Sequence, residues 1–145
     1  MTTKWTLTFD CHDVETMRTF WRLALGYVDP TPPVGWTSWD QWLRDQNVPE
    51  DEWEDGGGLD DPDGRLPDIS FLKVPEGKTA KNRLHLDLQV SGGRHIDQPI
   101  RVAQIEAMAA TLTDAGGRVV SRSYNADRLD HVVMADPEGN EFCVV

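Results

Sequence analysis

The sequence predicts a mixed α+β fold built from two copies of a β-α-β-β-β module. Each half begins with an alternating apolar and polar segment, followed by an amphipathic segment of helical period that ends at glycine. Each half also carries an Asp-Pro-acid-Gly turn ahead of a strand-like run, at residues 61–64 and 136–139. The same order of elements appearing twice indicates a duplicated module.

The first module opens with a strand over residues 4–11, where apolar side chains alternate with polar ones. Asp13 is a suitable N-cap for a helix over residues 13–25, and Gly26 is a natural stop for it. Tyr27 and Val28 then predict a short strand, which the following prolines end.

An irregular insertion is predicted in this module over residues 35–68. Ser38 and Gln41 have the spacing of a capping box, which indicates a short helix there. Three consecutive glycines, residues 56–58, predict a mobile loop. A strand-like run at residues 69–74 returns the chain to the sheet.

The second module repeats this plan after a polar linker at residues 75–82. A strand is predicted over residues 84–90, and a helix with apolar positions from 102 to 112 stops at Gly116. Three further strands are predicted, at residues 118–123, 129–135 and 141–145. We therefore expect one domain, residues 1–145, with module one at 1–78, its insertion at 35–68, and module two at 82–145.

Each first strand offers one apolar face to its helix, so its polar face lines the concave side of a curled sheet. The residues expected to face this cleft are Thr6, Thr8, Asp10, His85, Asp87 and Gln89.

Composition excludes several classes of function. The 25 acidic and 14 basic residues give a net charge of −11, which argues against binding to nucleic acid. No apolar run of about 18 residues and no leader pattern is present, so we expect a cytoplasmic protein that does not enter a membrane. Cys11 and Cys143 are expected to be free, buried thiols.

Several motifs resemble the vicinal oxygen chelate superfamily, which includes glyoxalase I, ring-cleaving dioxygenases and bleomycin-resistance proteins. They are Asp-Val-Glu at 13–15 with Phe-Trp at 20–21, Lys-Asn-Arg-Leu-His-Leu-Asp at 81–87, and Asp-Pro-Glu-Gly-Asn-Glu-Phe-Cys at 136–143. They are most similar to the glyoxalase-like branch. The resemblance implies a cup of two modules, and by analogy a homodimer.

Metal-dependent members of that superfamily place ligands on the first and last strands of each module. The resemblance puts these positions on Thr6, His85, Cys143 and the region of Phe71 and Leu72, so only His85 is a usual ligand. We therefore expect no metal cofactor. A divalent metal at His85 and Cys143, completed by Asp87 or His12, stays open as an alternative.

The insertion holds Trp36, Trp39 and Trp42, whose rings suit a planar or cationic ligand. They also suit a purely structural role in anchoring the insertion. The resemblance and the missing ligands favour a protein that binds a small aromatic or cationic molecule without a metal. The alternatives are a metal-dependent lyase, isomerase or dioxygenase, and a dimeric interaction module with a vestigial pocket. The predicted ligand-binding residues are His85, Asp87, Gln89, Thr6, Thr8, Trp36, Trp39, Trp42 and Cys143.

Overall fold

A computed structural model describes all residues from 1 to 145. The chain divides into two compact units, one comprising Met1–Arg22 and Gly26–Gly77, the other Leu23–Leu25 and Lys78–Val145. Each unit contains a small sheet and at least one helix, as expected for the α+β class. None of the helices combines the length and the apolar character that crossing a bilayer requires.

The first unit holds a three-stranded sheet. Its elements in chain order are β1 (Leu7–Cys11), α1 (Val14–Leu25), α2 (Trp39–Asp45), a 3₁₀ turn (Glu50–Glu52), β2 (Gly56–Leu59) and β3 (Ile69–Lys73). Strand β3 is central, and it pairs with β1 in parallel and with β2 in antiparallel orientation.

Helix α1 begins and ends at the residues that the sequence predicts. The Asp13 carboxylate accepts the Thr16 backbone N–H at 2.9 Å, and Gly26 closes the helix with φ of 68°. That left-handed conformation favours glycine because it has no Cβ. The apolar face of the helix is fully buried through Met17, Phe20 and Trp21.

Strand β2 contradicts the mobile loop predicted for residues 56–58. These glycines pair with β3, with Gly57 opposite Phe71. Glycine at position 57 allows β2 to pack closely against α1, since a Cβ on Gly57 would lie 2.9 Å from Cγ1 of Val14. The strand predicted at Tyr27 and Val28 is also wrong, because only one isolated bridge, from Val28 to Asp60, forms there.

The second unit contains a four-stranded sheet and one long helix. Its elements are β4 (Asp87–Leu88), α3 (Gln98–Asp114), β5 (Arg118–Asn125), β6 (Arg128–Ala135) and β7 (Glu141–Val144), and the strand order is β4-β7-β6-β5. The helix and the last three strands confirm the prediction, whereas β4 is much shorter than the predicted run at residues 84–90. The buried side chains of α3 include Ile105, Ala109 and Leu112.

The two Asp-Pro-acid-Gly turns have similar hydrogen bonds, in which the aspartate accepts the backbone N–H groups two and four residues ahead. The Asp61 carboxylate accepts the backbone N–H groups of Asp63, Arg65 and Leu66. In the second unit the buried Asp136 carboxylate accepts those of Glu138 and Asn140. An aspartate that binds backbone N–H groups two or more residues ahead stabilises the turn locally. The sequence repeat is therefore a structural repeat.

We predict that Gly57→Ala destabilises the protein by about 1–3 kcal/mol, because the added methyl group pushes β2 away from α1. Gly56→Ala is the matched control, since its Cβ would lie 3.8 Å from the nearest atom, the Phe71 carbonyl oxygen. Urea unfolding of both variants measures the difference. Equal stability of the two would contradict the close packing of Gly57.

Candidate metal centre

Three ligand-type side chains meet on the edge of the second unit's sheet. Asp87 on β4 lies opposite Cys143 on β7 in a parallel pair. His85 precedes Asp87 by two residues, and the Cys143 N–H donates to the carbonyl of the intervening Leu86 at 2.8 Å. Side chains two residues apart on an extended segment project to the same side. The pairing therefore brings all three to one face.

The ligand atoms of these three residues all lie within 4.8 Å of one another. The Cys143 Sγ is 3.9 Å from the His85 Nδ1. His85 and Asp87 are exposed, whereas Cys143 is buried. An imidazole nitrogen, a carboxylate oxygen and a sulfur at this spacing match the donors that zinc binds in proteins, and three protein ligands leave a position open for another molecule.

The Cys143 thiol is neutral in the metal-free protein at physiological pH. Burial raises the pKa of Cys143 to about 11, and the negative charge of Asp87 acts in the same direction. A protonated thiol is a poor nucleophile. The raised pKa therefore does not favour covalent catalysis by Cys143, and a bound cation would have to displace the thiol proton.

Glu141 and Lys81 add a charge pair beside this cluster. Glu141 lies two residues before Cys143 on β7, and its carboxylate contacts the Lys81 ammonium. That hydrogen bond lowers the pKa of Glu141. The Glu141 backbone N–H also donates to Oδ1 of Asn82 at 3.2 Å. Glu141 is not among the predicted ligand-binding residues, although its period-two spacing from Cys143 points to it.

Three other predicted ligand-binding residues lie on extended segments. Gln89 is exposed just after β4. In the first unit, Thr6 is exposed just before β1, and Thr8 is exposed on β1 opposite Ser70. The polar side of both predicted first strands is thus accessible, and ligand contact by these residues stays a prediction.

The three predicted tryptophans belong to the first unit, where they make local contacts. The Trp36 Nε1–H donates to Oδ2 of Asp45 at 2.9 Å, and the Trp39 Nε1–H donates to the Pro30 carbonyl at 2.8 Å. The rings of Trp39 and Trp42 pack edge to face with centroids 5.6 Å apart. These contacts support the structural role of the tryptophans in anchoring the insertion, and their contact with a ligand stays a prediction.

Comparison with known proteins identifies the family of the chain. A model of the glyoxalase-like domain matches residues 6–145. A glyoxalase/bleomycin resistance protein/dioxygenase family enzyme from Burkholderia phytofirmans is 13% identical, with a TM-score of 0.60 over 96% of this chain and 94% of that one. The fosfomycin resistance protein FosX from Mesorhizobium loti is 11% identical, with a TM-score of 0.61 over 99% of this chain and 90% of that one.

A mutant FosX from Listeria monocytogenes, complexed with manganese(II) and a dihydroxypropylphosphonic acid, is 9% identical, with a TM-score of 0.62 over 99% of this chain and 90% of that one. No curated protein sequence matches the chain. At these identities the structural likeness concerns the fold. The comparisons confirm the predicted fold class and the resemblance that the sequence motifs indicated.

We predict that Cys143 reacts slowly with iodoacetamide in the metal-free protein, because a pKa of about 11 leaves about one thiolate per thousand thiols at pH 8. Asp87→Asn removes a negative charge that raises this pKa, so the reaction should become several-fold faster and its pH dependence should move to lower pH. Mass spectrometry of the Cys143 peptide measures the rate. The control is Asp127→Asn, an exposed residue of the same unit; equal rates in both variants would contradict the assigned charge effect.

Proposed function

Because the chain belongs to the glyoxalase-like family, we propose that it acts on a small molecule at a divalent metal ion held by His85, Asp87 and Cys143. The observation that supports this proposal is the convergence of three different donor atoms within 4.8 Å. It favours the metal-dependent alternative over binding without a metal. The family alone does not select between the two, since function depends on the site rather than on the fold.

The donor set indicates which metal suits the site. Thiolate and imidazole ligands together favour zinc or cobalt(II) over magnesium and calcium, which prefer oxygen. The manganese(II) in the Listeria FosX complex makes manganese the alternative to test. When bound, such an ion polarises a carbonyl or hydroxyl oxygen of a ligand that takes the open position.

The chemistry of Cys143 also bears on the class of reaction. Thiolates are oxidised readily when they are exposed to activated oxygen species. A ligand set that contains a cysteine therefore suits a lyase or isomerase better than a ring-cleaving dioxygenase. We infer a reaction that moves protons and electron pairs within a small molecule without external oxidant.

The fold positions the proposed ligands and leaves space beside them. The register between β4 and β7 holds Asp87 and Cys143 opposite each other, so these two donors need little rearrangement. Exposed His85 and Gln89 leave the same segment open to a small ligand. Lys81 compensates the charge of Glu141, which limits the number of uncompensated negative charges near Cys143.

Cobalt(II) titration of the metal-free protein tests this proposal. We expect one equivalent to bind, with a sulfur-to-cobalt charge-transfer band in the near ultraviolet. Cys143→Ser should abolish that band, and His85→Ala should weaken binding by at least the roughly ten- to hundred-fold known for the loss of supporting groups at metal sites. Elemental analysis of the protein purified without chelators identifies the ion that it acquires on its own.

His95→Ala is the matched control, because His95 is another exposed histidine of the same unit. It should bind cobalt as the unaltered protein does. Circular dichroism of each variant establishes that the fold is intact. If cobalt does not bind, or if it binds equally well to the His85→Ala and Cys143→Ser variants, the proposed metal centre is wrong.

A further inference from the structure

A β-bulge on β6 brings the side chains of two consecutive residues together. Ser123 pairs with His131, and the next residue, Tyr124, pairs with Leu129, so that Asp130 has no partner on β5. An extra residue of this kind bends the strand and changes the direction of nearby side chains. Consequently the Asp130 Oδ2 lies 2.9 Å from the Nδ1 of His131, although neighbours on a regular strand point to opposite faces.

The Asp130 carboxylate is held in its ionised form. Its two oxygens accept hydrogen bonds from the Arg94 guanidinium, from Nε at 2.6 Å and from a terminal nitrogen at 2.9 Å. The bonds from Arg94, followed by the bond from His131, hold the pKa of Asp130 well below its usual range. An ionised carboxylate only accepts hydrogen bonds. The Nδ1 of His131 must therefore carry the proton, which leaves a lone pair on Nε2 of the neutral ring.

The backbone of the bulge is fixed from the helix side. Arg101 of α3 is buried, with 4% of its surface exposed. Its guanidinium donates to the Asp130 carbonyl at 3.0 Å and to the Ser91 hydroxyl at 3.2 Å. A buried arginine that binds a strand carbonyl restrains that strand, because leaving its donors unpaired would be costly. The orientation of the Asp130–His131 pair is thus part of the folded framework.

His131 lies on the same face of the sheet as the candidate metal ligands. Val133 is directly opposite Cys143 on β7. His131 precedes Val133 by two residues, and the pairing of β6 with β5 has no register shift between these two residues. His131 is therefore a diagonal neighbour of Cys143, and such neighbours have backbones about 7–8 Å apart. The side chain of His131 is 28% exposed, and the structure gives its Nε2 no partner. A small ligand can span this separation.

We propose that His131 is the base that contacts the ligand of this site. A neutral ligand with an acidic hydroxyl, such as a hydroxamic acid, an enol or a phenol, places that oxygen at the centre formed by His85, Asp87 and Cys143. The O–H bond breaks, its electron pair stays on the ligand oxygen, and the proton moves to Nε2 of His131, giving an imidazolium beside Asp130. This inference rests on the proposed function and names the class of ligand and the proton acceptor.

Proton counting with acetohydroxamic acid and the cobalt-loaded protein tests the proposal. In weakly buffered solution with an indicator dye, the unaltered protein should release no proton when it binds the neutral acid, because His131 retains it. His131→Gln should release one proton per ligand bound and should bind about ten- to a hundred-fold more weakly. Retention of the proton by the His131→Gln variant would overturn the assignment.

His95→Gln is the matched control and should behave as the unaltered protein does. Asp130→Asn keeps the histidine but removes the charge that stabilises the imidazolium, so partial proton release is expected. The cobalt spectrum is recorded for every variant before the acid is added. If no cobalt binds to the unaltered protein, the proposed function fails and this inference with it; if cobalt binds but the proton count is unchanged by His131→Gln, only this inference fails.

A second measurement needs neither metal nor ligand. Nitrogen-15 NMR of the histidine side chains at pH 8 should show His131 as the neutral tautomer protonated at Nδ1. His95, which has no carboxylate on its ring in this structure, provides the reference within the same spectrum. A neutral His131 ring protonated at Nε2 has its lone pair on Nδ1, so Nε2 could not receive the ligand's proton. Finding that tautomer would overturn the proposal whatever the cobalt experiments give.

Discussion

Strand β7 is hydrogen-bonded on both sides, in parallel to β4 and in antiparallel orientation to β6, and the candidate site depends on this double pairing. The parallel pair sets Asp87 opposite Cys143, and the antiparallel pair sets Val133 opposite Cys143. Phe142 and Val144, which alternate with Cys143 along the strand, are almost completely buried. The burial of one face thus determines which residues the other face presents, because a slip of one residue would exchange them.

The charged groups around β7 follow a consistent electrostatic pattern. Burial raises the pKa of Cys143, the negative charges of Asp87 and Glu141 act in the same direction, and Lys81 opposes them. Asp130, by contrast, accepts two hydrogen bonds from the Arg94 guanidinium, which lower its pKa and keep it ionised. One side of the sheet therefore carries a neutral thiol that a cation would deprotonate, and a histidine whose tautomer is imposed by a carboxylate. Both states are set by neighbours rather than by the residues themselves.

The elements that depend on local patterning were predictable from the sequence. Helix α1 starts at the Asp13 cap and ends at Gly26, and α2 starts at the capping box of Ser38 and Gln41, since these signals act over three or four residues. The prediction from sequence was wrong at residues 56–58, where packing overrides local conformational preference. Glycines 56–58 are typical of a loop, yet they pair with β3. Glycine is needed at position 57 because Val14 of α1 leaves no room for a Cβ there.

By itself, the sequence determined the duplicated module, the polar alternation that exposes His85 and Asp87, and the buried character of Cys143, because these properties follow from period and hydrophobicity along a short stretch. Only the tertiary structure decided that residues 85, 87 and 143 converge within 4.8 Å, since the register of two strands distant in sequence is fixed by the whole sheet. It also decided that Asp130 and His131 bond to each other. A bulge arises where one strand has an extra residue relative to its partner, and neither strand alone determines where that extra residue falls.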